Sequence, residues 1–332
     1  MVDALDIGDI GAVFSQMRIP HPRIDEVTRK FNGARKMKRL APYAPKRYLE
    51  FFALSHTGKS TAIQTYLEKS VVPELIAEGQ FSADMDVQLI AKKQNRVVYV
   101  SLNERATRAT LYGDILRRMG DDRAYSGTIP EQRTRVYDYL SDKKVELLVL
   151  DEIQHLSVSI LKQSGGRKTK HLSSQGTDVS DALKTMMIDG LVPIAFVGVP
   201  EARIHFSEDE QLVNRELSKV DFSPIRWTVQ AERDLFVDYC TETGVLIQHM
   251  GLLPEVTDLV SDGVPACLWA ASAGRIGLVS RICEEAVLHA SERGGDHVEW
   301  RDLELAVDTR AIPNGYCLYN PFTHGVRAIA VN

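Results

Sequence analysis

A short segment near residue 55 combines glycine, lysine and hydroxyl residues in the order that a phosphate-binding loop uses. Its residues are Ser55, His56, Thr57, Gly58, Lys59, Ser60 and Thr61. In such a loop, backbone N–H groups and the N-terminus of the following helix surround nucleotide phosphates. Lys59 would neutralise the β- and γ-phosphate oxygens, and the Ser60 hydroxyl would coordinate Mg²⁺. We therefore expect these seven residues to bind a nucleotide.

The loop departs from the full pattern G-x-x-x-x-G-K-[ST] at its first anchor. This sequence has Ala53 where the pattern has glycine, and the bulky His56 lies in the middle of the loop. Alanine fits if its φ is negative, whereas a left-handed backbone would cost about 1 kcal/mol or more. A chance G-K-S triplet is common, so the interpretation depends on the apolar run before the loop and the helical pattern after it.

Two carboxylates follow another apolar run, Val145 to Leu150, and are Asp151 and Glu152. In an open α/β sheet, ligands bind at the carboxyl ends of the strands, so both acids are expected near the phosphate loop. Asp151 would hold Mg²⁺ through water, and Glu152 would orient or deprotonate the water that attacks the γ-phosphate. The alternative is a polar strand end that only begins a loop. His155 is interpreted as a packing or capping residue rather than a base.

The elements that must position these residues are predicted by hydrophobic patterning. Apolar runs rich in β-branched and aromatic residues occur at 47–54, 96–102, 145–151 and 191–199. Helical patterns such as 60–77 and 110–119 separate them, which predicts a doubly wound α/β domain with parallel strands. After about Thr228 only helical patterns remain, at 231–249, 254–261, 265–272, 275–292 and 299–309.

The chain is therefore expected to contain four parts. These are a basic helical segment at 1–46, an α/β nucleotide-binding domain at 47–228, a helical lid domain at 229–312 and a tail at 313–332. A length of 332 residues with 44% apolar and 26% charged residues fits a water-soluble chain of two main domains.

The charge distribution limits how nucleic acid could bind. The formal net charge is −5, so a nucleic-acid surface must be local. Residues 23–47 are strongly basic and form either a solvated helix face or a surface for a polyanion.

Several features favour a cytoplasmic location. The N-terminus is acidic where a secretory signal is basic, and no apolar run approaches the roughly 20 residues that span a bilayer. The four cysteines fit neither a zinc-binding spacing nor a dense disulfide framework. We expect no membrane partner.

Taken together, these motifs resemble those of the AAA+ ATPases and, more narrowly, those of the TniB and TnsC type of transposition regulators. The resemblance covers roughly Ile19 to the end. Besides the phosphate loop, it rests on segments 149–156, 194–204, 208–217 and 272–290 and on Asn320, Pro321 and Phe322. It implies the AAA+ fold of P-loop NTPases, with a parallel sheet core, a small C-terminal helical lid domain, and ATP and Mg²⁺ as cofactors.

The function that the resemblance implies is ATP-dependent regulation of DNA transposition. Such a protein oligomerises on duplex DNA as a ring or a helical filament, hydrolyses ATP, and recruits or activates a transposase at target sites with a target-selection protein. Two alternatives stay open: a nucleotide-gated DNA scaffold with negligible hydrolysis, and another AAA+ loader or motor, such as an IstB-like helper or a clamp or helicase loader. The Q-L-x-x-R and N-P-F segments favour the transposition regulator.

The resemblance also implies roles for arginines. Arg215 matches an arginine finger that reaches the γ-phosphate in the neighbouring subunit, with Arg203 as a second candidate and an ordinary salt bridge as the alternative. Arg275 resembles the sensor-2 arginine that contacts the nucleotide in its own subunit, although it could be a surface helix residue. Val197, Gly198 and Val199 stand where many family members have a polar sensor-1 residue, and this departure is consistent with slow hydrolysis.

DNA contacts are expected in two basic loops. Arg105 and Arg108 follow the second predicted strand, and Arg167, Lys168 and Lys170 lie in a polar loop after the acidic pair. They would contact the phosphate backbone without sequence specificity, or they are solvated charges. The sequence contains no recognisable motif for reading bases.

Overall fold

The computed structural model describes residues 5–104, 106–157, 174–203 and 210–327. The chain divides into two compact units. The helical unit comprises Met1–Pro22, Ser55–Gly58 and Ser223–Asn332, and the sheet unit comprises Arg23–Leu54 and Lys59–Phe222.

The sheet unit is built on five parallel strands in the order β2-β3-β4-β1-β5. The strands are β1 (Tyr48–Phe52), β2 (Val97–Ser101), β3 (Leu147–Asp151), β4 (Ile194–Gly198) and β5 (Glu216–Lys219). The first four confirm the predicted apolar strands. Strand β5 was not predicted, because its sequence Glu-Leu-Ser-Lys is polar and it lies at the half-exposed edge of the sheet.

Helices cover both faces of this sheet. Helices are numbered in chain order, and α1 (Ile7–Gln16) belongs to the helical unit. The helices of the sheet unit are α2 (Pro22–Leu40), α3 (Lys59–Tyr66), α4 (Val72–Ala77), α5 (Val87–Lys93), α6 (Arg108–Arg118), α7 (Ile129–Asp142), α8 (Ser174–Ile188) and α9 (Glu210–Val213). A π-helical turn, Leu67–Val71, joins α3 to α4, so the predicted helix at 60–77 is confirmed with an irregular centre.

Alternate residues of β1 to β4 enter two separate cores, as the two-residue period of a strand requires. Leu147 and Val149 pack with residues of α2 to α5, whereas Leu148 and Leu150 pack with residues of α6 to α8. Tyr99 pairs with Val149 in the parallel register, so it lies on the α3 side of the sheet. Asp151, two residues beyond Val149, lies on the same side.

The helical unit has its own apolar core. Besides α1 it contains α10 (Gln230–His249), α11 (Val264–Ser272), α12 (Ile276–Glu292), α13 (Trp300–Ala306) and α14 (Pro321–His324), with a π-helical turn at Val307–Ala311. These confirm the helices predicted at 231–249, 265–272, 275–292 and 299–309. Ile10 and Phe14 of α1 are buried in the same core.

The helix predicted at 254–261 was wrong. This segment forms hydrogen bonds with a neighbouring loop instead of the internal bonds of a helix. Glu255 N–H donates to the Asp296 carbonyl at 2.9 Å, and Thr257 Oγ1 accepts from Val298 N–H at 3.2 Å. Only a 3₁₀ turn, Ser261–Gly263, follows.

Two of the basic residues in 23–47 lie inside the sheet unit. Arg35 is fully buried and donates to Glu146 Oε2 at 2.8 Å and to the Tyr66 hydroxyl at 3.1 Å. Lys46 is also buried, and its ammonium donates to the carbonyls of Ala41, Pro42 and Ala44. These two charges hold α2 and its following loop in place and do not belong to a surface for a polyanion.

Within the part of the chain that the structure describes, no helix has both the length and the apolar character needed to cross a lipid bilayer.

Candidate nucleotide site

The predicted phosphate loop directly follows β1, and helix α3 begins at Lys59. His56 and Gly58 have positive φ angles of 63° and 96°. Ala53 is not among the described residues with positive φ, and its N–H donates to the Gly198 carbonyl at 3.0 Å. Alanine at this position therefore carries no left-handed strain, and the loop keeps the strand, turn and helix arrangement despite the missing glycine.

Lys59 lies near both predicted carboxylates. Its ammonium donates to the carbonyls of Ala53 at 2.7 Å and Leu54 at 2.9 Å. Burial lowers the pKa of Lys59, while the negative charges of Asp151 and Glu152 act in the opposite direction. The structure thus brings the lysine of the loop together with the acidic pair, as the sequence predicted.

Asp151 ends β3 and is 3% exposed. Its Oδ1 accepts the backbone N–H of Glu152 at 2.8 Å, and its Oδ2 accepts the hydroxyl of Tyr99 at 2.5 Å. Ser60 is near the same hydroxyl and acts to lower its pKa. Burial, followed by the charge of Asp151, raises the pKa of Tyr99 well above its usual range, so the phenol keeps its proton at neutral pH.

Glu152 is half-buried and has a positive φ of 58°, which is uncommon for a residue with a side chain. The side-chain amide of Gln154 donates to its carboxylate, and Gln154 Oε1 accepts the N–H of Val199 at 3.3 Å. Glu152 is therefore connected to the end of β4 through Gln154. His155 Nε2 lies 3.9 Å from Glu152 Oε2.

Sequence reasoning missed Tyr99 and Gln154. Tyr99 was counted as one of the aromatic residues of an apolar strand, but its polar end reaches the neighbouring strand two positions beyond its register partner. The signal that could have found it is its position on the adjacent parallel strand, since parallel neighbours place side chains of the same parity on one face.

The oxygen groups present suit Mg²⁺. A hydroxyl and a carboxylate are ligands that this cation accepts. Asp151 accepts a hydrogen bond from the Tyr99 hydroxyl, and Ser60 is near the same hydroxyl. The two predicted metal ligands therefore lie close to one another, and the donor set fits the metal.

Residues Ser55–Gly58 cluster with the helical unit, where the first turn of α12 lies against them. A Cβ atom on Gly277 would lie 2.5 Å from the His56 carbonyl oxygen and 3.4 Å from the Gly58 nitrogen. The ring of His56 also packs at a tilt against Tyr316, with 5.3 Å between centroids. Within this unit, Gly277 and Tyr316 are thus in contact with the phosphate loop.

Arg275, the residue before α12, has a different set of contacts. Its Nε donates to the Ser272 carbonyl at 3.1 Å, and its Nη2 donates to the Tyr316 carbonyl at 3.4 Å. These bonds hold the guanidinium against the backbone of the helical unit. A contact of Arg275 with nucleotide stays a proposal.

The two candidate finger arginines also differ in their surroundings. Arg215 is half-buried between α9 and β5, and its carbonyl accepts the N–H of Tyr48 at 3.0 Å. Arg203 forms an ion pair with Glu50, which is buried in β1, at 2.6 Å between Nε and Oε1. Arg203 thus already neutralises an interior carboxylate of its own subunit.

Of the four predicted DNA-contacting residues, the structure describes Arg108, the first residue of α6, which is half-buried next to the Thr107 N-cap. Arg105, Lys168 and Lys170 lie outside the described residues, as does Arg167.

Several solved structures resemble this chain. The Aeropyrum pernix ORC2 protein in its ADPNP-ADP complexes has a TM-score of 0.55 at 14% identity, covering 90% of this chain and 70% of that chain. The Aeropyrum pernix ORC1 protein in complex with DNA has a TM-score of 0.57 at 16% identity, covering 88% of this chain and 66% of that chain. CDC6P from Pyrobaculum aerophilum has a TM-score of 0.56 at 14% identity, covering 89% of this chain and 69% of that chain. These likenesses confirm the predicted AAA+ fold, with its parallel sheet and C-terminal helical region.

No curated protein sequence matches this chain. The model of the family described as "Bacterial TniB protein" matches residues 12–224, which is more than half of the chain. The resemblance inferred from the motifs is therefore confirmed, and the chain belongs to the TniB family.

Proposed function

We propose that this protein is an ATP-dependent, DNA-binding regulator of transposition. It oligomerises on duplex DNA as a ring or filament, hydrolyses ATP, and recruits or activates a transposase at target sites. Membership of the TniB family supports this proposal, as does a fold shared with proteins solved with ADP-type nucleotides and with DNA. The observation that carries it is the position of Lys59 near both Asp151 and Glu152 at the carboxyl ends of the strands.

ATP binding is assigned to the phosphate loop, residues Ser55, His56, Thr57, Gly58, Lys59, Ser60 and Thr61. The backbone N–H groups at the start of α3 would face the phosphates. Lys59 would exchange its bonds with the Ala53 and Leu54 carbonyls for bonds with phosphate oxygens, which carry a full negative charge. Arg275 is proposed to approach the nucleotide after releasing the Tyr316 carbonyl.

Ser60 and Asp151 are the residues that would hold Mg²⁺. When bound, the metal would neutralise negative charge on the phosphates. The remaining catalytic roles belong to side chains. Glu152 would orient the attacking water and accept its proton, and Arg215 of a neighbouring subunit would stabilise negative charge on the γ-phosphate.

The DNA contacts are proposed to come from Arg105, Arg108, Lys168 and Lys170, which would bind phosphates in any sequence. An assembly around DNA lets a protein with a net charge of −5 bind a polyanion, because only the inward-facing loops need to be basic. A transposase and a target-selection protein are the expected further partners, in the cytoplasm.

One observation favours a second candidate function, a nucleotide-gated DNA scaffold with negligible hydrolysis. The Glu152 carboxylate is already engaged by the side-chain amide of Gln154. The oxygen that accepts the Gln154 amide has fewer lone-pair directions left for an attacking water.

The deciding experiment is electron microscopy of the purified protein with and without duplex DNA, in the presence and absence of a slowly hydrolysed ATP analogue with Mg²⁺. Rings or filaments that form only when both ligands are present would support the proposal. Single copies on DNA at saturating analogue would contradict it. A parallel measurement of phosphate release separates the ATPase from the scaffold, since assembly without turnover indicates the latter.

A further inference from the structure

Asp151 has both carboxylate oxygens occupied by hydrogen-bond donors. One donor is the backbone N–H of the next residue, Glu152, and the other is the hydroxyl of Tyr99. The first is a local consequence of the chain leaving β3. The second comes from a different strand, so the orientation of the carboxylate depends on a residue 52 positions away in sequence.

The sheet register explains how Tyr99 reaches this carboxylate. Tyr99 stands beside Val149, while Ser101 stands beside Asp151. A two-residue step along a strand is about 6.6 Å, and side chains of the same parity share a face. The long tyrosine side chain bridges this step along the α3 side of the sheet. A shorter polar residue at position 99 would not reach.

Ser60, at the start of α3, is near the same hydroxyl. The phenol is therefore close to both residues that the proposed function uses as metal ligands. Its hydrogen bond goes to Asp151, so Tyr99 acts on the direction of that carboxylate.

We infer that Tyr99 is a positioning residue for magnesium-dependent nucleotide binding. It fixes the direction of the Asp151 carboxylate, and so prepares this group for the cation. This inference rests on the proposed function. It predicts that the Tyr99 hydroxyl contributes to affinity only in the presence of Mg²⁺, because its partner Asp151 is a proposed metal ligand and not part of the phosphate loop.

The test is the substitution Tyr99→Phe, which keeps the ring and removes the hydroxyl. Binding of a fluorescent ATP analogue is measured first in excess chelator and then during titration with Mg²⁺. We expect affinity in chelator to stay within about twofold of wild type. The Mg²⁺ concentration at half-saturation should rise by about tenfold or more, as for other residues that orient metal ligands.

The chain offers a matched control in Tyr125. Its hydroxyl donates to Oδ1 of the buried Asp114 at 2.6 Å, so Tyr125→Phe removes the same kind of bond from an aspartate outside the site. That variant should titrate with Mg²⁺ as wild type does. A double variant, Asp151→Asn with Tyr99→Phe, should show no larger shift than Asp151→Asn alone, because Tyr99 acts through Asp151.

Three results would overturn the inference. They are a Tyr99→Phe titration that matches wild type, an equal loss of affinity with and without Mg²⁺, and a shift of the same size in Tyr125→Phe. Failure of the proposed function is distinguishable, because wild type itself would then show no binding that depends on Mg²⁺. Thermal melting of each variant shows whether it is folded before the titration begins.

Discussion

Gly277 in the first turn of α12 lies so close to His56 that a Cβ atom on the glycine would be 2.5 Å from the histidine carbonyl oxygen. No Cβ atom fits there unless the helix or the phosphate loop moves, because the three nearest atoms are all backbone atoms of His56 and Gly58. The geometry requires glycine at position 277 even though glycine weakens a helix.

The substitution Gly277→Ala should therefore weaken nucleotide binding by severalfold, since the loop must shift to make room. Fluorescence titration with an ATP analogue measures the effect. Gly33→Ala in α2 is the control, because a Cβ atom there meets nothing within 4 Å. Gly33→Ala should raise the free energy of unfolding by about 0.5–1 kcal/mol and leave affinity unchanged. Wild-type affinity in Gly277→Ala would show that the close approach has no role in binding.

Removal of the Lys59 ammonium should abolish ATP-dependent assembly on DNA. Lys59→Ala leaves the phosphate loop without its positive side chain next to Asp151 and Glu152, so a triphosphate would be repelled. Light scattering with duplex DNA and Mg·ATP measures assembly. Lys69→Ala removes an exposed lysine of the same unit and should assemble normally. Unchanged assembly of Lys59→Ala would contradict the phosphate-loop assignment.

Glu152→Gln should bind ATP and DNA as wild type does but lose most turnover, because glutamine cannot accept a proton from water. Phosphate release and DNA binding are measured on the same preparation. If Glu152→Gln hydrolyses ATP at the wild-type rate, Glu152 is not the base.

The arginine finger can be tested by mixing two inactive variants. Arg215→Ala lacks the finger but keeps its own nucleotide site, whereas Lys59→Ala lacks the site but keeps the finger. Mixed assemblies should recover part of the hydrolysis, because a finger can be worth about 10³- to 10⁵-fold in rate. If both variants are shown to assemble together and no activity returns, Arg215 is not the finger.

The buried cysteines of the helical unit give a prediction on pH. Burial raises the pKa of Cys283 from 9.0 to about 12. A raised pKa in the folded state contributes stability that is complete below pH 9 and is lost as pH rises towards about 12, because only the unfolded thiol ionises in that window. The free energy of unfolding should fall less steeply with pH in Cys283→Ala than in wild type. Equal slopes would show that Cys283 does not titrate as its burial requires.

The sequence predicted those features of the fold and site that depend on contiguous residues. Four strands were recognised because they are continuous apolar runs, and the phosphate loop was recognised because Gly58, Lys59 and Ser60 are adjacent. Strand β5 was missed because an edge strand needs no apolar pattern, and the segment at 254–261 was assigned wrongly because its partners, Asp296 and Val298, are distant in sequence.

The site residues that escaped prediction are those whose partners depend on register or packing. Tyr99 and Asp151 meet only because β2 and β3 are parallel neighbours in one particular register. Gly277 is next to the phosphate loop, whereas the nearby Arg275, which was predicted from the resemblance to a sensor-2 arginine, donates to carbonyls of the helical unit. A motif shows which residue types are present but not which of them are turned towards the ligand.

The backbone at Ala53 shows which positions of the loop can change over evolutionary time. Its N–H continues the ladder of hydrogen bonds from β1 to β4, and its φ is not positive. The position that needs glycine for its backbone conformation is instead Gly58, where φ is 96°. Relatives of this protein should thus carry varied small residues at the first anchor while keeping the second glycine, and a search pattern that demands both glycines would overlook them.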